Sequence, residues 1–197
     1  METRQETDVQ TLSVLFTDVV GSTEIAMRLG DDASDSLRRE HFRALRDAVE
    51  STGGQVVKTI GDGVMARFSS VRRALDGAAA IQRTVDTTNR DARHRLDVRV
   101  GVSVGDVTVE QGDCFGMPVV EAARLCSAAD HGRILAIERV RELAAGSGHV
   151  FSVGREVSCK SMTLRAVEIE WASDAAVTPI RHDLFTRNGS ENEEEHA

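Results

Sequence analysis

Two aspartates stand where an apolar run gives way to a glycine turn. Asp18 follows the run at residues 12–17, and Asp62 follows the run at residues 55–60. Each run has the length and the Val, Leu and Ile content of a short buried strand, so each strand carries a carboxylate to its end. Two carboxylates on neighbouring strand ends can hold a pair of Mg²⁺ ions against a triphosphate. The pattern indicates chemistry on a nucleotide.

The residues around the two aspartates offer groups for phosphate and for a base. Gly21, Ser22 and Thr23 form a glycine turn and a helix start, and the free amides of a helix N-terminus bind phosphate. Lys58 lies four positions before Asp62 in a mostly apolar strand. It is either a solvent-exposed group of an edge strand or a placed hydrogen-bond donor. For either aspartate alone, turn formation or helix capping is the ordinary role.

Composition narrows the class of protein. The chain has 197 residues, enough for one domain with tails, and is 41% hydrophobic and 28% charged. Its formal net charge of −8 argues against a nucleic-acid surface, which needs a basic face. Three cysteines without paired spacing and no signal peptide predict a cytoplasmic protein with reduced thiols. No run approaches the roughly 18 apolar residues of a membrane span.

The order of elements predicts an α+β fold, because hairpins dominate and produce a mainly antiparallel sheet with helices packed on it. The predicted strands are residues 12–18, 55–60, 63–68, 96–104, 107–109, 133–137, 149–158 and 163–171. A helix starts at Ser22, and further helices are predicted at residues 33–52, 70–91, 116–129 and 138–145. An Asp-Gly loop at Asp62 joins the second and third strands as a hairpin. We predict a polar segment at 1–11, a folded domain at 12–172 and an acidic, disordered tail at 173–197.

Four segments taken together resemble the catalytic domain of class III adenylyl/guanylyl cyclases, in particular its compact actinobacterial, mycobacterial-like branch. They are FTDVVGST (16–23), KTIGDGVM (58–65), RVGVSVGDV (99–107) and DCFGMPVVEAARL (113–125). Any one of them alone would be a weak signal, but their order and spacing are specific. The resemblance implies the ferredoxin-like class III cyclase fold, from about residue 12 to 170.

The resemblance also implies roles for individual residues. Asp18 and Asp62 would bind two Mg²⁺ or Mn²⁺ ions, with the Val19 carbonyl as a further ligand. Lys58 would donate to adenine N1, and Asp113 would accept from the 6-amino group. This pair fits ATP, whereas guanine needs an acceptor where Lys58 stands.

Two cations complete the implied site. Arg124 would stabilise charge on the phosphates, and Lys160 falls near the family's triphosphate-binding lysine, although the usual glycine after it is Ser161 here. By default Arg124 is a helix-surface cation paired with Glu121 at i, i+3. Where the family usually has an asparagine, this chain has Val120, whose side chain cannot hydrogen-bond.

The reaction implied is attack of the ribose 3′-hydroxyl on the α-phosphate, giving 3′,5′-cyclic AMP and pyrophosphate. In the family, opposite subunits hold the metals and the purine, so a chain with both sets predicts a C₂ homodimer. Two alternatives stay open. One is a weakly active or inactive nucleotide-binding or dimerisation module, motivated by Val120, and the other is a guanylyl cyclase.

Overall fold

The computed structural model describes residues 8–92, 94–159 and 162–172. Its strands are β1 (Asp8–Val20), β2 (Gln55–Ile60), β3 (Gly63–Phe68), β4 (Asp97–Glu110), β5 (Asp113–Phe115), β6 (Ile134–Ile137), β7 (Arg155–Cys159) and β8 (Met162–Glu168). Its helices are α1 (Ser22–Leu29), α2 (Asp31–Ser51), α3 (Val71–Asp91), α4 (Met117–Ala128) and α5 (Glu138–Leu143). Lys160, residues 1–7 of the predicted polar segment and the predicted tail at 173–197 lie outside the described residues.

The strands form one sheet in the order β2-β3-β1-β4-β6-β8-β7, and β5 pairs with β4. The pairing of β4 with β6 is parallel, and the other pairings in the described part of the sheet are antiparallel. This confirms the predicted α+β fold with a mainly antiparallel sheet. No helix among the described residues is both long and apolar enough to cross a membrane.

The centre of the sheet is longer than the sequence pattern predicts. β1 begins at Asp8 rather than at residue 12, and β4 runs without a break to Glu110. The two strands stay paired from Asp8 to Val20, and the Thr11 hydroxyl donates to Asp106 at 2.8 Å. The apolar pattern stops at the polar residues, but a backbone ladder needs no apolar side chains.

The predicted strand at 149–158 was wrong in its first half. Only an isolated bridge between Phe151 and Ile169 is present there, and β7 starts at Arg155. Apolar content at Val150 and Val153 suggested a strand, but both side chains are exposed.

Helices cover both faces of the sheet. The larger apolar core joins α2 and α3 to one face, where alternate valines of β4 point. Gly101 lies between those valines and faces the opposite way. A Cβ atom on Gly101 would lie 2.1 Å from the backbone oxygen of Ala122, so α4 crosses β4 in direct backbone contact on the second face.

The β2–β3 hairpin is closed by a two-residue loop, Gly61 and Asp62. The predicted strand bounds of 55–60 and 63–68 agree with the structure, in which Gly63 pairs with Ile60, so the loop dipeptide is Gly61-Asp62 rather than Asp62-Gly63. Gly61 has φ of 61°, which a residue without a Cβ atom adopts readily. The loop leaves Asp62 at the tip of the hairpin.

Candidate active site

The carboxyl groups of Asp18 and Asp62 lie close together where β1 ends and the hairpin turns. Burial raises the pKa of Asp18 above its usual value, and the neighbouring Asp62 carboxyl raises it further, while Arg99 opposes both effects. Two neighbouring carboxylates repel each other when both are ionised, and a cation bound between them would stabilise their charged forms. The structure therefore brings together the two predicted metal aspartates, with Val19 next to Asp18 in the chain.

Arg99 is a site residue that the sequence reasoning missed. It lies opposite Asp18 in the β1–β4 pairing, and its Nε atom donates to Oδ2 of Asp18 at 2.8 Å. Its Nη1 atom donates to the Ser127 carbonyl at 2.9 Å, at the end of α4. An arginine within the valine alternation of β4 was the available signal. Arg99 joins the aspartate pair to α4, the helix that carries Arg124.

The residues predicted to bind phosphate, Gly21, Ser22 and Thr23, form the N-terminal end of α1. Gly21 occupies the N-cap position with φ of 70°, and its carbonyl accepts from the Ile25 amide at 3.1 Å. Ser22 and Thr23 are the first two residues of the helix, so their backbone amides have no hydrogen-bond acceptor within it. Together with Val19 and Asp62 they line a cavity of about 490 Å³ between α1, α2 and the hairpin.

His41 of α2 lines the same cavity, and the sequence gave no reason to select it. The residue is buried, and its Nε2 atom has no hydrogen-bond partner among the described residues. Burial lowers the pKa of His41 to about 4, although the negative charge of Asp62 acts in the opposite direction. The imidazole is therefore neutral near pH 7.

The two predicted purine contacts meet on the second face of the sheet. The Nζ atom of Lys58 on β2 lies 2.6 Å from Oδ2 of Asp113 on β5. The hydrogen bond from Lys58 holds the pKa of Asp113 below its usual value, and the Cys114 amide also donates to this carboxylate, at 2.8 Å. The arrangement presents an ammonium donor and a carboxylate acceptor side by side.

Arg124 lies on α4, near the end of β7. Its positive charge opposes the increase that burial causes in the pKa of Cys159, the last residue of β7. The default pairing of Arg124 with Glu121 is wrong. Glu121 is buried and accepts from the Ser103 hydroxyl at 2.5 Å and from Arg139 at 2.7 Å.

The aspartate pair fits hard divalent cations, which prefer carboxylate and carbonyl oxygens. No cluster of three His, Cys, Asp or Glu side chains that could enclose a metal occurs in the described ranges. A cation bound by Asp18 and Asp62 would therefore take its other ligands from backbone carbonyls, water or phosphate. This is the usual situation of Mg²⁺ at a nucleotide.

The two parts of the site share one face of the sheet. Asp18 lies two positions after Phe16 on β1, so both side chains point to the same face of the sheet. Lys58 lies directly opposite Met65 in the β2–β3 pairing, so these two side chains also share a face. Phe16 and Met65 both belong to the smaller apolar cluster, which contacts α4. Four exposed apolar side chains lie on the elements around the Lys58 pair: Ile60, Phe115, Met117 and Val120.

The sheet order and the strand-end carboxylates define a class III nucleotidyl cyclase domain. The sequence profile of the family described as the adenylate and guanylate cyclase catalytic domain matches residues 4–169, so the chain belongs to this family. The crystal structure of the adenylyl cyclase CyaB from P. aeruginosa is 20% identical, with a TM-score of 0.74, covering 91% of this chain and 99% of that one. At that identity the likeness shows the fold alone.

Two curated relatives are similar over 68% of the chain. A putative adenylate cyclase from Rhizobium meliloti is 33% identical over 136 residues, which are 23% of its length. An uncharacterized protein from Mycobacterium tuberculosis is 37% identical over 133 residues, which are 34% of its length. The chain thus spans about a quarter to a third of these relatives.

Proposed function

We propose that this chain is an adenylyl cyclase that converts ATP to 3′,5′-cyclic AMP and pyrophosphate. The observation that carries the proposal is the 2.6 Å contact between Lys58 and Asp113. Adenine presents an acceptor at N1 beside a donor at the 6-amino group, and the pair offers the matching donor and acceptor. Guanine presents the reverse pattern, a donor at N1 and an acceptor at O6, so the same pair selects against GTP.

The aspartate end of the site would bind the triphosphate of the nucleotide through divalent cations and backbone amides. Two divalent cations held by Asp18, Asp62 and the Val19 carbonyl would neutralise phosphate charge and lower the pKa of the ribose 3′-hydroxyl. The amides of Ser22 and Thr23 provide donors for phosphate oxygens at the start of α1.

The reaction needs positioning more than a protein nucleophile. The 3′-oxygen forms a bond to the α-phosphorus, the bond from that phosphorus to the pyrophosphate oxygen breaks, and the hydroxyl proton passes to water. We assign to Arg124 the stabilisation of negative charge that develops on the phosphates. Lys160 is proposed to bind the triphosphate with it, because Cys159, the residue before it, lies near Arg124.

The proposed enzyme is a head-to-tail homodimer. Asp62 lines the cavity beside α1, whereas Lys58 bonds to Asp113 on β5, so the metal groups and the purine groups of one chain have different neighbours although Asp18 and Lys58 share a face of the sheet. A two-fold axis brings the aspartates of one subunit to the purine pair of the other and builds two equal sites. The exposed apolar side chains near Lys58 supply surface for such an interface.

An assay of the full chain with Mn²⁺ and a mixture of ATP and GTP tests the proposal. We expect cyclic AMP and pyrophosphate in equal amounts, little cyclic GMP, and no product from Asp62→Asn. Asp106→Asn is the matched control, because Asp106 bonds to Thr11 at the far end of β1. Absence of cyclic AMP from wild-type protein, or predominance of cyclic GMP, would refute it.

A second candidate function is a nucleotide-binding module without turnover, and Val120 favours it. Val120 lies in the first turn of α4 with its side chain exposed, and it offers no hydrogen bond. Its neighbour Glu121 cannot replace the family's asparagine, because its carboxylate is buried against Ser103 and Arg139. Loss of one positioning donor can cost on the order of 10²-fold in rate.

Val120→Asn separates the two candidates. ATP binding and dimerisation with no turnover in wild-type protein, together with turnover in Val120→Asn, would establish the module. Rapid wild-type turnover that Val120→Asn leaves nearly unchanged would eliminate it.

A further inference from the structure

The pairing of β1 with β3 stops just before the two aspartates. The last backbone pair is Phe16 with Met65, whereas β1 continues along β4 as far as Val20. β1 and β3 therefore separate beyond Phe16, and the gap between them is where Asp18 and the hairpin tip lie.

A side chain takes over where the backbone pairing ends. The Thr17 hydroxyl oxygen accepts from the Val64 amide at 2.9 Å, and both residues are buried. The bond ties the residue before Asp18 to a residue two positions after Asp62. Without it, the Val64 amide would be buried with no acceptor at this position.

The backbones of β1 and β3 also approach each other very closely at this point. A Cβ atom on Gly63 would lie 1.8 Å from the backbone oxygen of Thr17, so only glycine fits. Gly63 lets the strands meet, and the Thr17 hydroxyl fixes the distance at which they separate.

From these contacts we infer that Thr17 is a positioning residue that sets the separation of the Asp18 and Asp62 carboxylates for divalent cations. The inference rests on the proposed function, because it concerns the metal pair of the cyclase site. Thr17 acts through the Val64 amide, which donates to its hydroxyl oxygen. Groups that orient metal ligands commonly change metal affinity by 10- to 100-fold when they are removed.

The test measures Mn²⁺ binding by the full chain, from the electron paramagnetic resonance signal of free Mn²⁺. 3′-Deoxy-ATP is present, because it carries the triphosphate but lacks the attacking hydroxyl. Thr17→Val keeps the shape and removes the acceptor, and we expect its Mn²⁺ affinity to fall about tenfold. Thr17→Ser keeps the acceptor, and we expect an affinity within about twofold of wild type.

Thr11→Val is the matched control, since it removes a threonine hydrogen bond from the same strand far from the aspartates. Thermal unfolding of each variant separates a structural from a positioning role. A structural role alone lowers the melting temperature and leaves the Mn²⁺ affinity of the folded protein unchanged. If Thr17→Val does not fold, Thr17→Ala, which removes the same acceptor without crowding, decides by the same measurement.

Equal Mn²⁺ affinities of wild type and the acceptor-lacking variant would overturn the inference about Thr17 and leave the proposed function intact. Failure of wild-type protein to bind Mn²⁺ with the nucleotide would instead count against the proposed function.

Discussion

The Nζ atom of Lys58 lies 2.6 Å from Oδ2 of Asp113, although 55 positions separate the two residues in the sequence. β2 supplies the lysine and β5 the aspartate, two strands that are not paired with each other in the sheet. The pair is preformed, so under the proposed function a purine that offers an acceptor beside a donor would find both partners in place.

Lys58→Met is expected to reduce selectivity for ATP over GTP. The variant would lose the proposed donor to adenine N1, and kcat/KM for ATP should fall about 10- to 100-fold because a hydrogen-bonding group of the substrate is left unmatched. Competition between ATP and GTP, with both cyclic products measured, checks this. Arg67→Gln is the control, since Arg67 is a cation of the same hairpin that bonds to Gln55 across the strands. Unchanged selectivity in Lys58→Met would contradict the purine assignment.

A mixture of two impaired variants, Lys58→Met and Asp62→Asn, is expected to regain activity. Lys58→Met lacks a purine contact and Asp62→Asn lacks a metal ligand, but a mixed dimer contains one site with neither defect. With random subunit exchange, half of the dimers are mixed and each has one intact site, so the mixture should reach about a quarter of wild-type activity. Cyclic AMP production after mixing measures this. No recovery, despite demonstrated subunit exchange, would refute the split site.

Arg99→Gln is expected to make the protein more dependent on metal for stability. Arg99 neutralises part of the charge at Asp18 when no metal is bound, and loss of a partly exposed pair costs about 1 kcal/mol, or roughly 2–4 °C in melting temperature. Added Mn²⁺ should then raise the melting temperature more than it does in wild type. Arg133→Gln, which loses a pair with Glu168, is the control for a general loss of an ion pair. An equal Mn²⁺ effect in wild type and Arg99→Gln would argue against this role.

The buried imidazole of His41 predicts a loss of stability in acid. Its pKa is about 4 in the folded state and about 6.5 when unfolded, so between these values the unfolded chain binds a proton that the folded chain does not. Stability should therefore fall as the pH falls from 6.5 to 4, by about 3 kcal/mol from this group. His41→Leu should remove that part of the pH dependence in urea unfolding. Parallel pH profiles for wild type and His41→Leu would show that another group is responsible.

The sequence by itself determined the secondary structure pattern, the family and the identity of the aspartates. Apolar runs, glycine turns and helix periodicity are local properties, so the strand that carries Asp18 and the strand that ends at Ile60 could be predicted from them. The long β4 could not, because its last residues are polar and depend on backbone pairing with β1.

Only the tertiary structure decided which side chains meet. Arg99 reaches Asp18 because of the strand register, and Glu121 turns to Ser103 and Arg139 because α4 packs directly on Gly101. These contacts join residues distant in sequence, and no local pattern contains them. The buried Thr17 hydroxyl likewise becomes informative only when Val64 is seen to donate to it, where the backbone pairing of β1 and β3 ends.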